Sequence, residues 1–327
     1  MEDFVNGFWR DRPVLVTGAT GFLGGWIVSR LLADGARPIC LVRDNMPEAK
    51  SHFGSVSGRS TLVHGDVRDV NLLKRVLGDY EVDVVMHLAA QTVVGHAADN
   101  PSETFEVNVG GTNALFEACR QIGGQRAVVV ASSDKAYGEQ PVLPYTEDMP
   151  LLGRNPYDAS KVAAEVVARS YAASFKIPMV ITRCANVYGG GDLNWSRLFP
   201  GTLRALLRGH RPVIRSDGTF TRDYVYVEDA ADAFMRLAEW LAADATRSGG
   251  TFNISTEETR SVLDIVASLV RAVGIDLPPD VRGKTTLEIR HQRLSSERLK
   301  STLGWTPQHD LEDGVARTVR WYRDYFA

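Results

Sequence analysis

Tyr157 and Lys161 are the side chains whose types and spacing most directly suggest chemistry. They stand four residues apart at the start of a segment with helical periodicity, so both would lie on one face of a helix. A lysine cation beside a phenol stabilises the phenolate and lowers the pKa of the tyrosine toward neutrality. The tyrosine could then act as a general base toward a substrate hydroxyl. The spacing is common by chance in amphipathic helices, so its meaning depends on the elements around it.

A glycine-rich turn near the start of the chain is the first of those elements. The apolar run 14–16 breaks into Gly18, Gly21 and Gly24, and a helical pattern follows. Glycine permits a positive φ and lets a phosphate approach the backbone, and a helix N-terminus attracts a diphosphate. The spacing G-x-x-G-x-x-G differs from the G-x-G-x-x-G dinucleotide fingerprint, and such a turn can also be a plain packing device. Dinucleotide binding is the favoured interpretation.

Apolar runs that read as buried strands alternate with helical patterns along the first half of the chain. The predicted strands are 14–16, 38–42, 61–64, 82–90, 127–131 and 178–183, and a helix is predicted over 104–121. This alternation predicts a parallel sheet covered by helices on both faces, with ligands at the carboxyl ends of the strands. The segment 186–192, which contains three consecutive glycines, is predicted to be irregular. The last third predicts a smaller lobe of mixed helices and strands.

Arg43 and Asp44 follow the second predicted strand, where a dinucleotide fold meets the adenosine ribose. An acidic residue there accepts the 2′-hydroxyl of NAD, whereas an arginine accommodates the 2′-phosphate of NADP. The chain offers both residues, so the choice between NAD and NADP stays open at this point.

Composition excludes several classes of protein. The 327 residues are 44% hydrophobic and 24% charged, with a formal net charge of −3, which gives no reason to expect a nucleic-acid or membrane partner. The three cysteines are far apart, so neither a disulfide framework nor a zinc site is expected, and His87 has no partner at ligand spacing. The N-terminus lacks a signal-peptide pattern, and no apolar run is long enough to cross a membrane. A cytoplasmic protein without a metal site is therefore expected.

Several motifs form a set that covers nearly the whole chain. They are the turn 17–24, Asp66, 87–90, Asn108, 132–133 and Tyr157 with Lys161, followed by 183–189 and 222–227. This set resembles the extended short-chain dehydrogenase/reductase family, and within it the NAD-dependent epimerase/dehydratase family that acts on sugar nucleotides. The resemblance implies a Rossmann-type doubly wound parallel sheet with a smaller mixed α/β substrate-binding lobe. It places the cofactor domain at 1–182 plus about 224–254, and the lobe at 183–223 and 255–327.

The resemblance also implies the ligands and their contacts. NAD is the expected cofactor, with NADP as the alternative. A nucleotide-diphosphate hexose is the expected substrate, and a homodimer built on helices of the cofactor domain is the expected assembly. Asp66 would touch the adenine, while Ser133, Tyr157 and Lys161 would surround the nicotinamide and the sugar C4 hydroxyl. The implied cofactor contacts are Gly18, Thr20, Gly21, Phe22, Leu23, Gly24, Arg43, Asp44, Asp66, Val67, Leu88, Ala89, Ala90, Asn108, Tyr157 and Lys161.

The sequence Ser133-Asp134-Lys135 narrows the resemblance to the branch of CDP-glucose 4,6-dehydratases. Oxidation of the sugar at C4 acidifies the C5 proton, and an acid and a base beside C5 and C6 can then eliminate the 6-hydroxyl as water. We assign Asp134 as the acid, which must carry a proton at that step, and Lys135 as the base or as the residue that positions it. The alternative is an exposed ion pair that caps a strand end. The segments 221–224 and 42–44 depart from this branch and resemble general epimerases and NADP-dependent reductases.

Arginine binds phosphate through two parallel hydrogen bonds, and Arg197, Arg222 and Arg293 are the residues predicted to contact the substrate diphosphate. Solvated surface arginines are the alternative. Gln91 and Asn186 complete the predicted substrate contacts. Three other functions stay open: a C4 epimerase, an NADP-dependent keto-sugar reductase, and a regulatory protein that senses the cofactor without catalysis.

Overall fold

The computed structural model describes residues 7–44, 51–284 and 289–327. The N-terminal residues that lack a signal-peptide pattern lie outside this described part. The strands are β1 (Pro13–Thr17), β2 (Arg37–Val42), β3 (Thr61–His64), β4 (Val84–His87), β5 (Ala127–Ser133), β6 (Met179–Cys184), β7 (Asn186–Tyr188), β8 (Val213–Ile214), β9 (Thr221–Tyr226), β10 (Thr251–Ile254), β11 (Thr259–Ser261) and β12 (Asp280–Val281). The α-helices are α1 (Phe22–Ala33), α2 (His52–Val56), α3 (Val70–Asp79), α4 (Val94–Asp99), α5 (Pro101–Phe105), α6 (Gly111–Ile122), α7 (Pro156–Phe175), α8 (Leu198–Leu207), α9 (Val227–Ala243), α10 (Val262–Val273), α11 (Glu297–Leu303) and α12 (Leu311–Phe326).

A seven-stranded sheet of order β10-β6-β5-β4-β1-β2-β3 forms the centre of the fold. Strand β1 pairs in parallel with β2 and β4, and the outer pairs β2–β3 and β4–β5 are parallel as well. With helices on its faces, this sheet confirms the predicted Rossmann-type α/β fold. The strands β1, β2, β3, β4 and β5 therefore end at one edge, which is where the predicted cofactor residues lie.

The continuous apolar runs form these central strands because they are buried on both faces. Val14, Leu15 and Val16 of β1 are fully buried. One core cluster joins the sheet to the neighbouring helices through residues such as Leu73 of α3 and Phe116 of α6. Burial of this apolar area supplies the main favourable free energy that holds the strand ends in place.

The described residues divide into two compact units. The first lies within Met1–Gly138, Glu147–Arg183 and Ala231–Phe252, and the second within Glu139–Thr146, Cys184–Ala230 and Asn253–Ala327. Residues 139–146 and 224–230 fall in the second unit by this division. That unit carries the three-stranded sheet β11-β9-β7 and the two-stranded pair β12-β8.

The segment 186–192 is partly regular, which corrects the prediction of an irregular stretch. Asn186, Val187 and Tyr188 form β7 and pair in parallel with 224–226 of β9. The glycines that prompted the prediction begin only at Gly189, which has a φ of +155°. A strand can therefore extend up to the first glycine before the backbone leaves the sheet.

The helix predicted over 104–121 is interrupted. A π-helical turn over Glu106–Gly110 separates α5 from α6. Such a turn holds one extra residue, and turns of this kind are frequent at functional sites.

Among the helices of the described ranges, none is both long and apolar enough to cross a bilayer. The same part of the chain contains no group of three or more His, Cys, Asp or Glu side chains arranged to hold a metal ion. The three cysteines are buried and form no disulfide with one another.

Candidate active site

The glycine turn between β1 and α1 forms a cradle that glycine alone can line. Gly18 has a φ of +72°, and a Cβ atom at Gly24 would lie 2.1 Å from the Gly18 carbonyl oxygen. Helix α1 begins at Phe22 behind Gly21, whose position supplies no side-chain cap for the first helical N–H groups. Uncapped N–H groups and a close backbone approach are what a diphosphate needs. These residues therefore fit the diphosphate of a dinucleotide.

The other predicted cofactor residues lie at the same edge of the sheet. A Cβ atom at Gly18 would lie 2.7 Å from the backbone nitrogen of Ala89, so the loop after β4 packs directly on the turn after β1. The edge is completed by residues that follow strands on both sides of β1, namely Arg43 and Asp44 after β2, Asp66 and Val67 after β3, and Leu88, Ala89 and Ala90 after β4. The parallel topology therefore brings these predicted residues together, although contact with a cofactor stays a prediction.

Two acidic residues at this edge are already paired with arginines. Asp44 accepts from Arg43 Nη2 at 2.7 Å, and both side chains are exposed. Asp66 binds Arg68 through both carboxylate oxygens, at 2.9 Å from Nε and 2.8 Å from Nη2. The hydrogen bond from Arg68 keeps the pKa of Asp66 below its usual range, although burial acts in the opposite direction. Asp66 therefore stays ionised as a hydrogen-bond acceptor.

His87 at the end of β4 is buried between two threonine hydroxyls. Its Nδ1 lies 2.9 Å from Thr17 Oγ1, and its Nε2 lies 3.1 Å from Thr112 Oγ1. Thr112 already donates its hydroxyl proton to the Asn108 carbonyl oxygen at 2.6 Å, so it can only accept from the histidine. Thr17 Oγ1 accepts from the backbone nitrogens of residues 88 and 89, so its proton is available to Nδ1. This network requires a neutral imidazole with its proton on Nε2.

Electrostatics agree with that assignment. Burial, and to a smaller extent the charge of Lys161, lowers the pKa of His87 to about 3. Thr17, His87 and Thr112 thus join β1, β4 and α6 through neutral groups, close to the charge of Lys161.

Asn108 in the π-helical turn ties the loop after β4 to the helix that carries Tyr157. Its Oδ1 accepts from the Gln91 backbone nitrogen at 2.7 Å, and its Nδ2 donates to the Gln91 carbonyl oxygen at 3.1 Å and to Ser160 Oγ at 2.8 Å. Ser160 Oγ in turn donates to the Tyr157 carbonyl oxygen at 2.7 Å. The structure thus gives Asn108 a role in positioning the helix, while its predicted contact with the cofactor stays a prediction.

Tyr157 and Lys161 occupy the first turns of α7, and both are buried. Lys161 Nζ donates to the Ala131 carbonyl oxygen of β5 at 2.9 Å, which fixes the ammonium group against the strand that ends in Ser133. Lys161 also lines a cavity of about 10 Å³, large enough for about one water molecule.

Ser133, Asp134 and Lys135 form the end of β5 and the beginning of a short 3₁₀ turn, Asp134–Tyr137. Ser133 Oγ donates to Asp134 Oδ1 at 3.0 Å and accepts from the Lys135 backbone nitrogen at 3.2 Å. Asp134 is 3% exposed, and within the described ranges its buried Oδ2 has no hydrogen-bond partner. The carboxyl group is thus held through Oδ1, while Oδ2 is buried without a hydrogen-bond partner in that part of the chain.

Asp158 is a buried acidic residue that the sequence analysis passed over, although it directly follows Tyr157. Burial raises the pKa of its carboxyl group; Lys135 and a hydrogen bond from Asn155 act in the opposite direction, and the charge of Asp134 raises it further. Asp134, Lys135 and Asp158 are therefore close enough to influence one another. The signal available in the sequence was an acidic residue inside the Tyr157–Lys161 motif.

The predicted substrate contacts divide between the two units, with Gln91 in the first and the others in the second. Arg222 is buried, and its guanidinium donates to the carbonyl oxygens of residues 221, 289 and 290. Arg197 pairs with Asp192 at 3.1 Å, and Asn186 Nδ2 donates to the carbonyl oxygen of residue 223 at 3.5 Å. Arg293 is half-buried, and its carbonyl oxygen accepts from the backbone nitrogen of residue 145. Their contacts with a substrate stay predictions.

Comparisons with known proteins agree with this arrangement. The model of the NAD dependent epimerase/dehydratase family matches residues 14–255. A UDP-glucose 4-epimerase of Mycolicibacterium smegmatis is 35% identical over 318 residues, which cover 95% of this chain and 98% of that protein. A CDP-glucose 4,6-dehydratase of Salmonella typhimurium is 31% identical over 333 residues, which cover 97% of this chain and 92% of that protein.

A solved structure of a sugar-nucleotide dehydratase has a similar fold. The crystal structure of DesIV, a dTDP-glucose 4,6-dehydratase from Streptomyces venezuelae with NAD and TYD bound, superposes with a TM-score of 0.84 at 31% identity. The match covers 95% of this chain and 97% of DesIV. Both the sequence and the fold place the chain in the NAD-dependent epimerase/dehydratase family of enzymes that modify sugar nucleotides.

Proposed function

We propose that this enzyme is a nucleotide-diphosphate-sugar 4,6-dehydratase, most like the CDP-glucose type. The observation that carries the proposal is the buried carboxyl group of Asp134, followed by Lys135, directly after Ser133 at the end of β5. In a parallel sheet this edge is where substrates bind, and an elimination needs an acid and a base there. The relatives include dehydratases of this type, which supports the proposal.

We propose that the glycine turn holds the diphosphate of NAD and that Asp44 and Asp66 face its adenosine. Asp44 favours NAD because a carboxylate accepts from a ribose 2′-hydroxyl and repels a 2′-phosphate. Arg43, the residue that could favour NADP, is engaged by Asp44. When bound, NAD supplies a hydride acceptor for C4 and a hydride donor for C6 of the same hexose.

The first half of the reaction falls to Ser133, Tyr157 and Lys161. Tyr157, as a phenolate stabilised by the Lys161 cation, would accept the proton of the C4 hydroxyl and become a neutral phenol. Ser133 would donate a hydrogen bond to the C4 oxygen. This half of the reaction leaves a ketone at C4, which acidifies the proton on C5.

The second half falls to Asp134 and Lys135. Lys135 would remove the C5 proton while Asp134 donates a proton to the departing 6-hydroxyl, so the C6–O bond breaks and water leaves. After hydride returns to C6 and a proton to C5, the product is a 4-keto-6-deoxy sugar. The buried Oδ2 of Asp134 supports this role because, among the described residues, no protein group is hydrogen-bonded to it.

For the substrate, we propose that Arg197, Arg222 and Arg293 bind the diphosphate and that Gln91 and Asn186 contact the sugar. The nucleotide and the hexose are outcomes of the experiment below.

We also propose a homodimer formed on helices of the first unit. Phe105 of α5, Val166 and Phe175 of α7, and Ile122 of α6 are exposed apolar side chains. Contiguous exposed apolar patches mark interfaces between subunits, and we place such a patch on these helices. A cytoplasmic setting is part of the proposal, because cysteines outside disulfides persist there.

A C4 epimerase is the second candidate, favoured by the 35% identity to the Mycolicibacterium smegmatis UDP-glucose 4-epimerase. It would use Ser133, Tyr157 and Lys161 in the same way and return hydride to the opposite face of C4. In that case Asp134 and Lys135 would not take part in proton transfer.

Mass spectrometry of the purified enzyme incubated with CDP-, UDP- and dTDP-glucose and GDP-mannose, without added reductant, tests the proposal. A product lighter by one water supports a dehydratase and names its nucleotide, whereas an isomer of unchanged mass supports the epimerase. Within a dehydratase, Asp134→Asn should slow water loss at least about 100-fold while C4 oxidation continues, because the amide cannot protonate the leaving group. Asp99→Asn, an exposed substitution of the same kind, should leave both rates unchanged.

A further inference from the structure

Glu165 and Arg183 form a buried ion pair that the proposed reaction does not use. Glu165 is 1% exposed on α7, and Arg183 is 2% exposed on β6. Arg183 Nε donates to Glu165 Oε1 at 2.9 Å and its Nη2 donates to Oε2 at 2.7 Å, so the two groups meet fork to fork. Burial lowers the pKa of Arg183, but the hydrogen bonds and charge of Glu165 outweigh it, and the net direction is upward. Arg183 is therefore charged, and it meets both carboxyl oxygens of Glu165.

The pair also holds both ends of the segment 132–137, which carries Asp134. On the N-terminal side, Ser132 Oγ donates to Glu165 Oε1 at 2.6 Å. On the C-terminal side, Arg183 Nη1 donates to the Tyr137 hydroxyl oxygen at 2.8 Å, and the guanidinium carbon lies 4.7 Å from the centre of the Tyr137 ring. One ion pair thus binds the residue before Ser133 and the last residue of the turn that follows it.

The outer side of the turn is fixed by backbone contacts. The backbone nitrogen of Leu152 donates to the Tyr137 carbonyl oxygen at 3.2 Å, and that of Gly153 donates to the Ala136 carbonyl oxygen at 3.1 Å. Gly138 has a φ of +65°, and a Cβ atom there would lie 2.5 Å from the Leu152 carbonyl oxygen. The segment is therefore held at its ends and through the backbone of residues 136 and 137, which restricts the positions of Asp134 and Lys135 between them.

Stability alone is a poor reason for such a pair. The desolvation of two buried charges offsets much of their attraction, and well-packed apolar side chains of similar volume often do as well. Apolar side chains could not bind Ser132 and Tyr137 at the same time. The hydrogen bonds to the segment 132–137 are therefore the reason for charged side chains at Glu165 and Arg183.

We propose that Glu165 and Arg183 are positioning residues that place Asp134 and Lys135 for the elimination of water. This inference rests on the proposed dehydratase function. Tyr157 and Lys161 are held separately, through Asn108, Ser160 and the Ala131 carbonyl oxygen. Loosening the C-terminal end of the segment should therefore affect elimination more than C4 oxidation.

Tyr137→Phe tests the inference because it removes one hydroxyl and keeps the ring. In single-turnover experiments with the accepted nucleotide hexose, water loss should slow about 10- to 100-fold, a range typical of small misplacements of a reacting group. C4 oxidation should stay within about threefold of the wild type, so absorbance of reduced cofactor at 340 nm should accumulate. In D₂O, incorporation of deuterium at C5 should slow together with water loss.

Tyr171→Phe is the matched control, because it removes a hydroxyl that is also hydrogen-bonded to a charged side chain. The Tyr171 hydroxyl donates to Glu117 Oε2 at 3.2 Å and touches no part of 132–137 that the structure describes. It should leave both steps unchanged. Arg183→Lys should behave like Tyr137→Phe, because one ammonium cannot form the fork with Glu165 and also hold the Tyr137 hydroxyl.

The outcomes are distinguishable. A wild-type dehydratase in which Tyr137→Phe slows both steps equally, or neither, overturns the positioning role and leaves the proposed function standing. A wild-type enzyme that only epimerises its substrate overturns the proposed function and the elimination-specific role together. Accumulation of reduced cofactor in Tyr137→Phe but not in Tyr171→Phe supports the inference.

Discussion

Acidification should destabilise the folded enzyme through His87. The imidazole accepts a hydrogen bond from Thr17 and donates one to Thr112, so a second ring proton would meet no acceptor. Its pKa is lowered from the ordinary value of 6.5 to about 3, by burial first and by the Lys161 charge second. Because the unfolded chain binds this proton more readily than the folded one, the stabilisation is complete above pH 6.5 and declines as the pH falls toward 3.

Linkage converts these values into a free energy. Between pH 7 and pH 5, protonation of the unfolded histidine removes about 2 kcal/mol from the free energy of unfolding, since one pKa unit corresponds to about 1.4 kcal/mol. The loss should continue with the same slope down to about pH 3, although carboxylates add their own contributions in that range.

Urea unfolding followed by tryptophan fluorescence at pH 7, 6 and 5, at a fixed saturating NAD concentration, measures this loss. His87→Gln keeps one acceptor and one donor and does not titrate. Between pH 7 and pH 5, its free energy of unfolding should therefore fall by about 2 kcal/mol less than that of the wild type. His210→Gln, a substitution at an exposed histidine, should keep the wild-type dependence. Equal pH dependence in the wild type and His87→Gln would refute the reasoning.

Two further predictions concern the glycine turn and the assembly. Gly24→Ala places a Cβ atom 2.1 Å from the Gly18 carbonyl oxygen and should weaken NAD binding at least about 10-fold in calorimetric titration. Gly78→Ala, whose Cβ atom would have nothing within 4 Å, should leave the affinity unchanged. Equal affinities of the two variants would contradict the role of the glycine turn in NAD binding. Val166→Glu should convert the proposed dimer to a monomer in light scattering, because it places a charge on the proposed interface, while Val142→Glu, at a side chain equally exposed at 60%, should not. A dimer that survives Val166→Glu would place the interface elsewhere.

The sequence was sufficient to predict the elements whose signals are local. The apolar strands, the glycine turn and the Tyr157–Lys161 pair each depend on residues within a few positions of one another, and the fold and the family are confirmed. The roles of individual site residues, such as Asp134 and Lys135, remain predictions.

Contacts that join distant elements could not be predicted in the same way. Glu165 and Arg183 are 18 residues apart and meet only because α7 packs beside β6. The strand at Asn186–Tyr188 depends on a partner near Tyr224, and a three-residue strand leaves too short a pattern to detect. Asp158 stands inside a motif that was noticed, but its importance depends on burial, which the chain order alone does not reveal.

The π-helical turn at Glu106–Gly110 has a consequence for how this enzyme can vary. An α-helix advances by about 100° per residue, so deleting one residue there would restore a regular helix and rotate everything beyond it by that angle. Asn108 and Thr112 would then no longer face Gln91 and His87 together. Asn108 must face Gln91, whereas Thr112 must face His87. The extra residue of the π-helical turn lets both side chains point toward their partners. A one-residue deletion that improves local helix geometry should therefore be tolerated less well here than in an exposed loop.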